Sequence, residues 1–421
     1  MRRSKRVFMS LLVTASLAIP TMSAGAAQDN SNGAEKFRVY VEAANKSSKA
    51  SVEGQYEARW HLTENGFSTE MTKRQFDVLK KSKKVKLTRV QEVTLDTETR
   101  ASKSGNVKTA ALPNQQITWG MKAIYNNANL TSTTGGAGIN VAVLDTGVTT
   151  SHYDLVNNVE QCKDFTQASP LVNGTCTDAN GHGTHVAGTV LADAGSDKRG
   201  IYGVAPQADL WAYKVLGNNG SGYSDDIAAA IRHAADQASS TGTKTVINMS
   251  LGSAGKDTLI SSAVDYAYSK GVLIVAASGN SGPNQGSIGY PGALTNAVAV
   301  AALENRQENG SYRVADFSSR GYASTDGDYV IQQGDVEISA PGASVYSTAN
   351  NGGYTTLSGT SMATPHVAGL AAKIWSQNPG WSHTQLRTNL QNRAKAVDIK
   401  GGYGAAAGDD YASGFGFARV N

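Results

Sequence analysis

The sequence predicts an α/β protein, a mostly parallel, doubly wound sheet with helices on both faces, preceded by a small α+β, ferredoxin-like unit. Three observations lead there. From residue 113 onward, near-continuous apolar runs alternate with helix-length amphipathic stretches, as in parallel strands buried on both faces. Before residue 113 the chain is basic and reads as short strands around a capped helix. With 421 residues, 45 glycines, 9 prolines and 2 cysteines, it can bury a large core and is neither collagen-like nor a disulfide scaffold.

The first element is a leader. Arg2, Arg3, Lys5 and Arg6 precede an apolar stretch from Val7 to Ile19, and Ala24-Gly25-Ala26 offers small residues for cleavage, which predicts a signal peptide over 1–26. The apolar stretch is shorter than the ~20 residues of a membrane span, so no membrane attachment is expected after cleavage.

Residues 27–112 form the second unit. Phe37–Ala43, Tyr56–Leu62 and Val85–Leu95 read as strands, and Thr72-Lys73-Arg74-Gln75 as a capping box that opens a helix with Phe76 and Leu79 on one face. Residues 1–112 hold 20 Lys/Arg against 11 Asp/Glu, whereas 113–421 hold 18 against 23. The lysines at 80, 81, 83, 84 and 86 lie between a helix signal and a strand, which is the solvated face of a folded unit, so no nucleic-acid partner is expected. Residues 96–112 are polar and aperiodic and read as a linker open to cleavage.

The body, 113–421, carries expected strands at Gly138–Asp145, Asp209–Val215, Thr245–Ser250, Val272–Ala276 and Ala297–Leu303. Helices are expected at His182–Ala194, Ser224–Ser239, Asp257–Lys270, Ser361–Gln377 and His383–Ala394. In such folds the chemistry belongs at the carboxyl ends of the strands.

Three segments place reactive groups there. Val141-Ala142-Val143-Leu144-Asp145-Thr146-Gly147 ends a buried strand in a carboxylate. Asn180-Gly181-His182-Gly183-Thr184-His185 sets His182 at the start of a glycine-flanked helix, while His185 is expected to pack against the sheet. In Ser358-Gly359-Thr360-Ser361-Met362-Ala363-Thr364-Pro365, the proline fits only an early helical turn, so Ser361 lies at a helix N-terminus, where free N–H groups favour developing negative charge. Each alone reads more readily as a cap or a packed residue.

Together, in the order Asp, His, Ser and in these Gly/Thr contexts, the motifs resemble those of the subtilisin-like serine proteases, and the resemblance extends over the whole chain. An α/β-hydrolase esterase would show the nucleophilic serine first, and a decayed binding module would have lost one of these groups. The resemblance implies Ser361 as nucleophile, His182 as general base and acid, Asp145 as its orienting group and Asn280, in Ala276-Ala277-Ser278-Gly279-Asn280, as oxyanion donor.

It also implies a secreted, monomeric endopeptidase acting on protein and peptide substrates, with 27–112 as a propeptide that aids folding, inhibits transiently and is cut off near residues 108–114. Substrate backbone would pair with Gly217, Gly220 and Gly222 on one side and Ser250, Leu251 and Gly252 on the other. Ala277, Ser278 and Gly279, with Gly289 at the floor, would line an uncharged pocket for large apolar or neutral P1 residues. A structural Ca²⁺ would take oxygens from Gln115, Asp154, Asp197, Arg199 and Ile201, and a weaker cation from Gly292, Leu294, Ala297 and Glu337; Asp326 and Asp328 in a further insertion are candidates for another.

Besides the insertion over Gly321–Asp335, two features depart from the family pattern. His152-Tyr153-Asp154-Leu155 has Tyr153 where relatives often have proline, and the stretch from Asp154 to His182 is lengthened. That stretch holds Cys162 and Cys176, which export and the absence of other cysteines predict to be a disulfide.

Overall fold

The computed structural model describes residues 35–95, 112–168 and 170–420. The expected leader and nearly all of the expected linker lie outside the described residues.

The N-terminal unit runs β1 (Lys36–Ala43), α1 (Lys46–Glu53), β2 (Trp60–Thr63), β3 (Gly66–Thr72), α2 (Lys73–Leu79) and β4 (Val85–Arg89). Its antiparallel sheet has the order β2-β3-β1-β4, the ferredoxin-like arrangement. The capping box of α2 is present, with Gln75 N donating to Thr72 Oγ1 and Thr72 N to Gln75 Oε1. Phe76 and Leu79 pack on a core of Val39, Val41, Phe67 and Met71.

Three corrections apply here. α1 and β3 were not expected, because α1 buries only Val52 and β3 buries Ser68 and Thr69 on a strand that reads as polar. The second strand starts later, at Trp60. The strand expected over Val85–Leu95 breaks into β4 and β5 (Glu92–Thr94), and β5 leaves the unit to pair with the body.

The body begins with α3 (Trp119–Ile124), β6 (Ile139–Asp145), β7 (Val159–Asp164), α4 (His182–Leu191), β8 (Asp209–Lys214), β9 (Ser221–Tyr223), α5 (Ser224–Thr241) and β10 (Lys244–Met249). It continues with α6 (Thr258–Ser269), β11 (Leu273–Ala277), β12 (Val298–Glu308), β13 (Ser311–Val314), β14 (Ile338–Pro341), β15 (Val345–Thr348), β16 (Tyr354–Leu357), α7 (Thr360–Gln377) and α8 (His383–Lys395). The main sheet has the order β13-β12-β11-β10-β6-β8-β7, with β14 also on β12, and every pair is parallel except β12–β13.

Both faces are covered, as alternate strand residues show. Val141, Val143, Leu210, Ala212, Leu273 and Val275 enter one core with residues of α4 and α7. Their neighbours Ala142, Leu144, Trp211, Tyr213, Ile274 and Ala276 enter the other, with residues of α5 and α6. Truncating such a residue, as in Leu144→Ala, carries the usual core penalty of ~2–5 kcal/mol. β6, β8, β10 and β11 therefore end side by side on one rim, delivering Asp145, Lys214, Met249 and Ala277 to it.

Cys162 on β7 and Cys176 form the expected disulfide, with their Cα atoms 4.9 Å apart. It closes the inserted loop beside the rim; a closed loop of ~15 residues corresponds to ~3 kcal/mol of chain entropy.

Candidate active site

Asp145, fully buried, is the last residue of β6, and His182, nearly so, is the first of α4. Their closeness depends on glycine. Gly181 enters the helix at φ +106°, and a Cβ on Gly183 would stand 2.1 Å from the Gly147 carbonyl and 3.0 Å from Asp145 Cβ. His182 Nδ1 donates to Asp145 Oδ1 over 2.6 Å, and Thr146 N donates to the same oxygen over 2.7 Å. Burial pushes the Asp145 carboxyl above the usual carboxylate range, and the adjacent imidazole opposes that shift. With Nδ1 used as a donor, Nε2 is the nitrogen that can accept a proton.

A third residue, not anticipated from sequence, binds these two segments together. Asp178, buried, accepts from Thr146 Oγ1 at 2.9 Å, Asn180 N at 3.0 Å, Gly181 N at 2.8 Å, Thr184 N at 3.0 Å and Thr184 Oγ1 at 2.6 Å. Gly183 N donates to Thr146 Oγ1 in turn. The only local sign was an Asp ahead of Asn-Gly, which reads as turn chemistry. Beneath them, buried Lys214 donates to the Thr146 carbonyl, and burial lowers its pKa.

Ser361 lies in the first turn of α7, 4% exposed. Its hydroxyl donates to the Ser250 carbonyl at 3.2 Å, and Ser250 Oγ donates back to the Ser361 carbonyl at 2.8 Å. Next to it, Thr360 organises Asn280. Asn280 Oδ1 accepts from Thr360 N at 2.9 Å and from Thr360 Oγ1 at 3.1 Å, and Thr360 Oγ1 accepts from Gly279 N. With the amide oxygen committed, Nδ2 is the end of Asn280 that donates on the other side.

The two edges expected to pair with substrate are already paired with the chain's own β5. Glu92, Val93 and Thr94 run antiparallel to Tyr223, Gly222 and Ser221, and Thr94 also bridges Gly252. Leu95 N donates to the Gly220 carbonyl at 2.9 Å, while Gly217 closes the turn behind through its bond to Ser221. Leu251 is buried beneath this edge. Gly289 N donates to the Ser278 carbonyl at 2.8 Å, which joins the Ala277–Gly279 wall to the expected pocket floor; none of these residues carries charge.

The expected cation sites fare differently. Asp154 is buried, its Oδ2 accepts from Ile201 N at 3.0 Å, and its Oδ1 has no hydrogen-bond partner. Burial, with Asp193 and Asp197 adding to it, pushes its carboxyl up to about 6. The glutamine facing this loop is Gln116, whose Nε2 contacts the carbonyls of Lys198 at 2.6 Å and Gly200 at 3.2 Å. The sequence-based expectation named its neighbour, Gln115. Ile201 donates its N–H to Asp154, and exposed Asp197 is bound by Tyr153 and Arg199.

An arginine meets two of the four groups expected at the second site, Glu337 and the Ala297 carbonyl. Arg387 donates to both carboxylate oxygens of Glu337, at 2.9 and 2.6 Å, and to the carbonyls of Ala297 and Thr295 at 3.1 and 2.7 Å. A buried guanidinium thus supplies positive charge beside Glu337 and the Ala297 carbonyl. Among the described residues, no group of three or more His, Cys, Asp or Glu side chains is arranged to hold a metal. His185 packs inside as expected, donating from Nε2 to the Val345 carbonyl at 3.0 Å, with its pKa lowered to about 3 by burial.

Comparison with known proteins agrees with this geometry. The sequence model of the Subtilase family matches residues 136–416. The chain is 59% identical to "Subtilisin" of Bacillus sp. (strain TA39) over 422 residues, all of both chains, and 41% identical to "Subtilisin Savinase" of Lederbergia lenta over 291 residues, 69% of this chain and 96% of that one. Among solved structures it is similar to "Sphericase" (78% identity, TM-score 0.73) and "S41 Psychrophilic Protease" (69%, 0.72), each covering 73% of this chain and 99% of its own.

Proposed function

Because the chain belongs to the subtilase family and is a serine endopeptidase, we propose that Ser361, His182, Asp145 and Asn280 carry out its peptide hydrolysis in the following roles. Ser361 Oγ attacks the scissile carbonyl carbon and its proton passes to His182 Nε2, while Asp145 holds Nδ1–H and stabilises the imidazolium. The oxyanion accepts from Asn280 Nδ2 and Ser361 N, the latter at the positive end of α7. His182 then protonates the leaving amine, and a water, deprotonated by His182, releases the acyl group from Ser361. The observation that carries this reading is the 2.6 Å Asp145–His182 bond on the rim that also bears Ser361.

The enzyme is secreted, acts as a monomer and cleaves proteins broadly, preferring large apolar or neutral P1 residues in the uncharged Ala277–Gly289 pocket. Residues 27–112 serve as folding aid and transient inhibitor; in support, β5 lies along both substrate edges. The share of this chain left uncovered by the solved relatives also equals that of residues 1–112.

A calcium ion is a structural partner held by Asp154, the carbonyls of Lys198 and Gly200 and, with its amide turned to present oxygen, Gln116. The orphaned, buried Asp154 Oδ1 beside carbonyl oxygens fits a hard cation. Bound calcium supplies stability and takes no part in bond breaking. A sulfonyl fluoride that inactivates the mature enzyme and is found by mass spectrometry on Ser361 supports the assignment; full inactivation with Ser361 unmodified refutes it.

A further inference from the structure

Asp225 and Asp226 open α5, directly after β9, and their side chains are 0% and 1% exposed. Guanidinium groups of the N-terminal unit cover them. Arg38 donates to Asp225 Oδ1 at 3.1 Å and Asp226 Oδ2 at 2.7 Å, with its guanidinium carbon 3.9 Å above the Tyr223 ring. Arg59 Nε donates to Asp226 Oδ1 at 3.0 Å, as does Trp60 Nε1 at 2.7 Å. Asp225 Oδ2 is buried and has no hydrogen-bond partner, its nearest cation being Arg59 at 3.9 Å. The pair thus already displays its ligand chemistry: a guanidinium seated between two carboxylates over an aromatic face.

The strand register shows what reaches this pair. A peptide lying as β5 does pairs the residue at the place of Thr94 with Gly252, so antiparallel pairing sets the residue two further on opposite Ser250, whose carbonyl holds Ser361 Oγ at 3.2 Å. That residue bears the scissile carbonyl. Counting back, the place of Gln91 is the sixth on the acyl side, and Gln91 is bonded to Ser224, through Ser224 N to its carbonyl at 2.9 Å and its own N to Ser224 Oγ at 3.2 Å. Backbone tracking thus extends to the residue immediately before Asp225.

We infer that, once the N-terminal unit has left, Asp225 and Asp226 form an extended subsite that selects protein substrates with arginine or lysine six or seven residues before the scissile bond. The unit's arginines stand in for that side chain. This rests on the proposed release of residues 27–112 and deepens the substrate reading of the same cleft. A guanidinium returning to this pair regains charge-assisted hydrogen bonds, so the preference acts through KM and weakens with salt.

The test uses mature enzyme and decapeptides identical around the scissile bond, with Arg, Gln or Glu at the sixth and seventh positions. At low salt the kcat/KM ratio of Arg to Gln is expected at about 5 and that of Glu to Gln below 1, on the scale of a charge-assisted pair. In 0.5 M salt, and in Asp225→Asn/Asp226→Asn, both ratios are expected near 1. Each ratio is read within one enzyme, and the wild-type series stands alone if the variant does not mature. A wild-type Arg:Gln ratio of 1, or one unchanged in the variant, overturns the subsite. Failure to cleave any peptide would instead count against the hydrolytic assignment.

Discussion

Thr360 holds the side-chain oxygen of Asn280 twice, by its backbone N–H at 2.9 Å and by its hydroxyl at 3.1 Å. The residue beside the nucleophile therefore aims the oxyanion donor. Thr360→Val keeps the backbone bond and the shape but removes the hydroxyl. We expect kcat to fall about tenfold with KM nearly unchanged, against the ~10²–10³ known within this same family for loss of the asparagine itself. Steady-state kinetics on a peptide amide decide it; an unchanged kcat removes Thr360 from the positioning role.

With Ser361 as nucleophile and β5 in the cleft, a first self-cut is expected two places beyond Thr94, ahead of the 108–114 stretch expected from the sequence. Ser361→Ala is expected to accumulate as a precursor with its N-terminal unit attached, seen by intact mass. Normal maturation of that variant in a host without other extracellular proteases would show that another enzyme makes the cut.

Arg387 is almost wholly buried, and its pairing with Glu337 raises its pKa against the burial cost. Glu337→Gln leaves a buried cation with half its support, so urea unfolding is expected to show a loss of about 3–5 kcal/mol, whereas Glu337→Leu/Arg387→Met regains much of it. A loss under 1 kcal/mol for Glu337→Gln would mean that solvent reaches the pair.

Calcium and its register can be tested together. Thermal inactivation of mature enzyme is expected to slow in excess calcium relative to chelator, because an ion that binds only the native state stabilises it. Asp154→Ala and Gln116→Ala should weaken that effect, and Gln115→Ala should not. Equal half-lives in calcium and chelator for the wild type would remove the ion; sensitivity at Gln115 would restore the sequence-based register.

Asp326 supplies a pH test. Burial, together with Asp335, Asp409, Asp410 and Asp328, pushes its carboxyl up to about 8. A carboxyl raised on folding binds more protons in the native state than in the unfolded chain, so between about pH 4 and 8 its contribution to stability falls as pH rises. In chelator, Asp326→Asn is expected to melt above the wild type at pH 8–9, with the difference vanishing near pH 4. A difference independent of pH would place the neighbouring charges elsewhere.

Much was legible in the sequence by itself. The parallel sheet showed in apolar runs alternating with helices, and Asp145, His182 and Ser361 in short motifs at strand ends and helix starts, since capping, turn chemistry and periodicity are local properties. What the sequence left open depended on partners far apart in the chain. Asp178 joins the segment after β6 to the start of α4, Thr360 reaches Asn280 across 80 residues, and Arg387 approaches Glu337 from α8 to fill a place that a metal was expected to hold. β3 is a strand because β1 and β2 flank it, and Gln116, the neighbour of the Gln115 named from sequence, donates to the loop beside Asp154. Local sequence sets which groups stand at the ends of elements; only packing of the elements decides which of those groups meet, since hydrogen bonds and ion pairs require contact within a few ångströms and sequence distance carries no such metric.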